Sequence, residues 1–195
     1  MSVYLDMFRK TFCEVHSTCQ GLVLGSLSRN DAHLREIMSF VLAHQTVSEY
    51  PYVFKYAFCR TEKDSERILN LSAAAHLLQS SAFVTDDIFD GTIMRYGQPA
   101  VHKRYGISYA IIATEILQCA ALETISAELI HRRFHNKVLV LKILNQMMQE
   151  LYVGQYLDVY NTANLRMGRR DYYRVIALGV GRKVEGQDLN RNNTT

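Results

Sequence analysis

Three aspartates and an arginine fall within ten residues of one another in T-D-D-I-F-D-G-T-I-M-R, as Asp86, Asp87, Asp90 and Arg95. On a helix, side chains four apart share a face, so Asp86 and Asp90 converge while Asp87 is turned about 100° aside. Such a pair suits Mg2+, which keeps several waters, takes one or two carboxylates from a protein and leaves its other positions to substrate phosphates. Arg95 follows in a Gly/Pro-containing loop, where its planar fork could take two phosphate oxygens at once. The chemistry indicated is an Mg2+-dependent site for a diphosphate. A bare D-D-x-x-D is as readily a solvated acidic face. Here, however, Ala82, Phe83 and Val84 precede the cluster and Ile88 and Phe89 lie inside it. Carboxylates on so apolar a helix need a cation to offset repulsion and desolvation.

The elements that must position these residues read as helices. Ile37, Phe40, Val41, His44 and Val47 follow a helical period, and Ala75, Leu78 and Ala82 repeat it ahead of Asp86. A third helical run covers about 107 to 130, and a fourth about 137 to 161, with Leu141, Leu144, Met148, Leu151 and Gln155 on one stripe. Prolines are confined to Pro51 and Pro99, so long helices are permitted. No strand pattern competes, and Gly91 to Gly106 is the strong internal loop signal, directly after the aspartates. The fold class is all-α. A chain of 195 residues fits one domain with one core, placed at 1–185. Residues 186–195 are polar, with nothing to pack, and are predicted to be a disordered tail.

A net charge of +3 spread along the chain is too mild for a nucleic-acid binder. Cys13, Cys19, Cys59 and Cys119 form no C-x-x-C pair and no leader pattern opens the chain, which points to a reducing cytoplasm. No apolar run is read as approaching the roughly 18 residues of a membrane span, so no transmembrane segment is expected.

The pattern D-D-I-F-D-x-x-x-x-R-x-G-Q-P-A-V-H-x-x-Y-G, from Asp86 to Gly106, resembles the first aspartate-rich region of trans-isoprenyl diphosphate synthases. The resemblance extends from about Arg29 to Gly181 and takes in G-Q-Y-L-D, Gly154 to Asp158. It implies a helical bundle of the isoprenoid synthase type, truncated at its C-terminal side. It also implies a prenyltransferase that joins isopentenyl diphosphate to an allylic prenyl diphosphate. In that family the aspartates matching Asp86 and Asp90 hold Mg2+, Asp87 belongs to the same catalytic triad, and the arginine matching Arg95 contacts diphosphate. Gln155 and Asp158 match substrate-binding residues of an opposing helix, and Arg35 matches a cation of the second diphosphate pocket. Small side chains at the positions of Ser81 and Ala82 imply a cavity admitting a product of geranylgeranyl length or longer.

The chain departs from the family at several places. Tyr96 replaces a second arginine, and Asn30 to Glu36 keeps Arg35 but carries Ala32 and His33 for a lysine and an arginine. Gly179 and Val180 replace a lysine-threonine pair, with Arg182 and Lys183 beyond, and the family's second aspartate-rich motif is not reached. These departures predict a depleted isopentenyl pocket and leave two alternatives to an active enzyme. One is a non-catalytic or regulatory subunit of a heteromeric synthase, the other an inactive truncated product. A terpene cyclase ranks below both. Helix faces left without partners predict a homo- or hetero-oligomer.

Overall fold

The computed structural model describes residues 2–43, 62–131, 136–164 and 168–179. The chain falls into two compact units, Met1–Arg133 and Phe134–Thr195. The expected tail, 186–195, lies outside the described residues, as do His44 and Val47.

The first unit begins with α1 (Ser2–Ser26), which buries Thr11, Val15, Cys19 and Val23, four residues apart and so on one face. After a turn at Ser28–Asp31, α2 (Ala32–Ala43) buries Ile37, Phe40 and Val41, the stripe expected from its period, together with Met38 and Leu42. The long α3 (Glu62–Phe89) has 28 residues and spans about 42 Å. It packs against α1 and against α5 (Ile107–His131).

Partners along α3 and α5 show that the two run antiparallel. Asn70 donates to Glu128 at 2.7 Å near one end, and Gln118 donates to the Ser81 hydroxyl at 2.9 Å nearer the other. Their seam is built of small residues. Ala73, Ala74, Ser80 and Ser81 lie buried on α3, and Ala110, Ala113, Ala120 and Ala121 on α5, so neither backbone is held off by bulk. Leu77, Val84 and Leu117 fill what space remains.

Two readings of the sequence are corrected here. On α3 the buried stripe runs through Ala73, Leu77, Ser80, Val84 and Asp87, whereas Ala75 is exposed and Leu78 and Ala82 only half-buried. Helical period alone does not choose between adjacent stripes when alanines and serines fill both. On α5, Ile107–Ile130 is by length and composition long and apolar enough to cross a membrane, although no such run was expected. Glu115 and Glu123 interrupt it as a sequence, but they share its exposed face, while Ala113, Leu117 and Ala121 pack inward.

Between α3 and α5 the chain forms a third departure from expectation. A two-stranded antiparallel hairpin, β1 (Met94–Arg95) and β2 (Gln98–Pro99), stands where only a loop was read, and is followed by the short α4 (Val101–Tyr105). Strands of two residues carry too few positions for alternation to register in a sequence.

The second unit consists, among the described residues, of α6 (Lys137–Asn164) packed on α7 (Arg169–Gly179). Leu144, Met148, Leu151 and Gln155 form a half-buried stripe on α6, as their spacing predicts, while Leu141 is exposed.

Candidate functional site

The inward turn of α3's buried stripe decides the geometry of the aspartates. Asp87 continues the row Leu77, Ser80, Val84 and is 2% exposed, whereas Asp86 is half-buried and Asp90 exposed. The helix then stops sharply. Gly91 takes a left-handed φ of 65°, its N–H donates to the Ile88 carbonyl at 3.3 Å, and the Thr92 N–H donates to the Asp87 carbonyl at 3.0 Å. That paired 6→1 and 5→2 pattern is a Schellman ending, and glycine is favoured at its left-handed position because it has no Cβ.

The hairpin brings the chain back. Its two turn residues, Tyr96 and Gly97, have φ of 50° and 78°, the double left-handed conformation of a type I′ turn, whose twist matches the flanking strands. Met94 pairs with Pro99 and Arg95 with Gln98. Arg95 is thereby returned to the end of α3. Its Nε donates to Asp87 Oδ1 at 2.8 Å and Oδ2 at 2.7 Å, and Nη2 donates to Oδ1 as well. The guanidinium lies 5.2 Å from the centre of the Phe83 ring. The Asp87 hydrogen bonds are the main cause that raises the Arg95 pKa above its ordinary value. Beside the pair, a void of about 30 Å3 is bounded by Phe40, Ser80, Val84 and Ala100. His102 on α4 is also buried, and neither ring nitrogen has a hydrogen-bond partner among the described residues. Burial pushes its pKa down, with Lys103 adding to the effect and Asp87 opposing it.

The other expected residues are placed as follows. Arg35 is half-buried and its Nη1 donates to the carbonyls of Leu24 (2.7 Å) and Leu27 (3.1 Å), capping the C-terminal end of α1 with positive charge. Ser81 is buried and its hydroxyl is engaged by Gln118, while Ala82 is half-buried. Gln155 is half-buried and Asp158 exposed on α6, in the second unit. The structure thus brings Asp86, Asp87, Asp90 and Arg95 to one helix end. Gln118 carries no motif that marks it in the sequence, and Phe83 is legible there only as part of an apolar stretch, not as a ring against Arg95.

A sequence profile of the polyprenyl synthetase family matches residues 31–179. The chain belongs to the polyprenyl synthetase family. Over 109 residues it is 33% identical to the short chain isoprenyl diphosphate synthase of Methanocaldococcus jannaschii, covering 56% of this chain and 32% of that protein. Over 112 residues it is 33% identical to preasperterpenoid A synthase of Talaromyces verruculosus, covering 57% of this chain and 14% of that one. Its fold matches the crystal structure of geranylgeranyl pyrophosphate synthetase from Pyrococcus horikoshii with a TM-score of 0.74 at 22% identity, over 91% of this chain and 54% of that one. The last likeness shows the fold alone. The chain spans about a third of the length of the first of these relatives and about half that of the solved structure.

As a member of the polyprenyl synthetase family the chain presents a donor set that suits Mg2+ only in part. Asp86 and Asp90 are four residues apart, the Asp90 N–H donating to the Asp86 carbonyl at 2.8 Å, and they would supply the two carboxylates the ion takes from a protein. Among the described residues no group of three or more His, Cys, Asp or Glu could hold a metal ion. The pair would therefore suit an ion whose remaining ligand oxygens came from elsewhere, such as a phosphate group or water.

Proposed function

We propose that this chain carries the allylic-diphosphate side of a prenyl-elongating transferase. An allylic diphosphate binds at the C-terminal end of α3, its C–O bond breaks to release diphosphate, and isopentenyl diphosphate attacks the resulting carbocation and loses a proton. The product is one isoprene unit longer. Asp86 and Asp90 would hold Mg2+, which when bound offsets charge building on the leaving diphosphate. Arg95 supplies a fixed cationic donor to the same oxygens. The observation that carries the reading is the Arg95 guanidinium, held at the end of the aspartate helix by two-point contact with Asp87.

Further features support the surrounding expectations. Ser81 and Ala82 are small, which favours a product of geranylgeranyl length or longer. Exposed Ile107, Ile111 and Ile112 on α5 favour association with a further chain, of the same or another kind. Cys13, Cys19 and Cys119 are free thiols, in keeping with a cytoplasmic setting.

The test is incorporation of labelled isopentenyl diphosphate with Mg2+ and dimethylallyl, geranyl or farnesyl diphosphate, beside Asp86→Ala. Product that disappears in the variant is expected. Absence of product with every primer would overturn the catalytic reading for this chain alone and leave the partner-dependent subunit. A cyclised hydrocarbon would overturn chain elongation in favour of a cyclase.

A further inference from the structure

The proposed mechanism gives Asp86, Asp90 and Arg95 direct contact with metal or diphosphate and gives Asp87 none. Yet Asp87 is the most deeply buried of the three aspartates and the one with two-point contact to Arg95. We infer that Asp87 is a positioning residue, which fixes Arg95 at the helix end so that the part of its guanidinium turned away from Asp87 receives the diphosphate. The inference rests on the proposed function and adds to it a role for a residue that touches neither metal nor substrate.

Three observations carry it. First, the exposure of the pair is lopsided: the Asp87 side chain is 3% exposed and that of Arg95 29%. The carboxylate is sealed inside while part of the guanidinium remains open. Secondly, the contacts to Asp87 use Nε and Nη2, and Nη1 takes no part in them. A planar fork that spends one edge on a carboxylate keeps its other N–H groups in a fixed plane. Thirdly, the position is fixed from three sides: by Asp87, by the Phe83 ring beneath, and by the I′ turn that sets the hairpin's twist. A donor held in this way loses little freedom when an anion arrives.

Binding of inorganic diphosphate with Mg2+, measured calorimetrically on the whole chain, separates this role from the alternatives. Asp87→Asn keeps the size but loses the two-point charge-assisted contact, and is expected to weaken diphosphate binding about tenfold. Affinity for Mn2+ alone, read by electron paramagnetic resonance, should be unchanged in Asp87→Asn and fall in Asp86→Asn. Arg95→Lys should cost about tenfold in the wild-type background and little more in Asp87→Asn, since the geometry it disturbs is already lost. Losses that simply multiply, an Asp87→Asn chain that binds diphosphate as well as the wild type, or one that loses Mn2+ like Asp86→Asn, would each overturn the inference and leave the proposed function standing. A wild-type chain that binds no diphosphate would overturn both.

Discussion

Asp87 and His76 are both 2% exposed on the inward side of α3, three turns apart, and the fold treats them in opposite ways. Asp87 has its charge matched by Arg95 through charge-assisted hydrogen bonds. Neither ring nitrogen of His76 has a hydrogen-bond partner among the described residues; the Phe12 ring stands perpendicular to it, with ring centres 6.2 Å apart. Burial, helped by repulsion from His16, pushes the His76 pKa down to about 4. A carboxylate resists giving up its charge at neutral pH, so burying it requires a cation. An imidazole buried without an acceptor simply stays neutral. A fixed ion pair therefore marks the end of α3 where chemistry is proposed, and an uncharged base sits where α3 meets α1.

Removing Arg95 breaks the comparison most directly. Arg95→Leu leaves Asp87 buried without its partner and is expected to cost about 3 kcal/mol in urea unfolding, the low end for a broken buried pair because Arg95 is partly open to water. The double variant Asp87→Leu/Arg95→Leu should regain most of that, since two apolar groups leave no orphaned charge. A double variant no more stable than the single one would show that the pair's packing, not its charge matching, is what the fold requires.

The His76 side is tested by pH. A base whose pKa is lower folded than unfolded binds fewer protons in the native state, so acid favours unfolding. The loss begins near the ordinary histidine value of 6.5 and levels off near 4. Unfolding free energy is expected to fall by roughly 2 kcal/mol between pH 8 and pH 4.5 from this group. The His76→Leu chain should show a visibly flatter profile over that window. An unchanged profile would mean that His76 is hydrated or bonded in solution and that the two buried groups are less different than they look.

How much of this was legible in the sequence follows from the range of each interaction. The long helices and the α2 stripe from Ile37 to Val41 depend on neighbours within a turn or two, and these agree with the structure. Which α3 stripe is buried depends on what packs against it. Ala75 and Ala74 are indistinguishable by polarity, and only the facing alanines of α5 select between them. The Asp87–Arg95 contact depends on a chain reversal through strands of two residues. The one local sign of that reversal was Gly97, in a tripeptide Arg-Tyr-Gly that lacks the usual Asn or Asp before the glycine. Arg35 was legible as a cation but not as a cap, because its acceptors, Leu24 and Leu27, lie in the last turn of the previous helix and just beyond it.

That missing Asn offers the smallest and sharpest perturbation. Tyr96 is the single non-glycine residue with positive φ among the described residues, and it sits in the turn that delivers Arg95 to Asp87. A bulky side chain in that region carries a backbone cost of about 1 kcal/mol or more, which asparagine relieves in part. Against this, the Tyr96 ring lies 5.9 Å from the Arg95 guanidinium, at the outer limit of a favourable cation–ring contact. The backbone term is the larger, so Tyr96→Asn is expected to stabilise the first unit by about 0.5 kcal/mol, seen as a small rise in melting temperature. A fall instead would mean that the ring is part of what fixes the guanidinium. The two-point contact with Asp87 would then be one support among several, and the contrast between the two buried positions on α3 would owe more to aromatic packing than to charge.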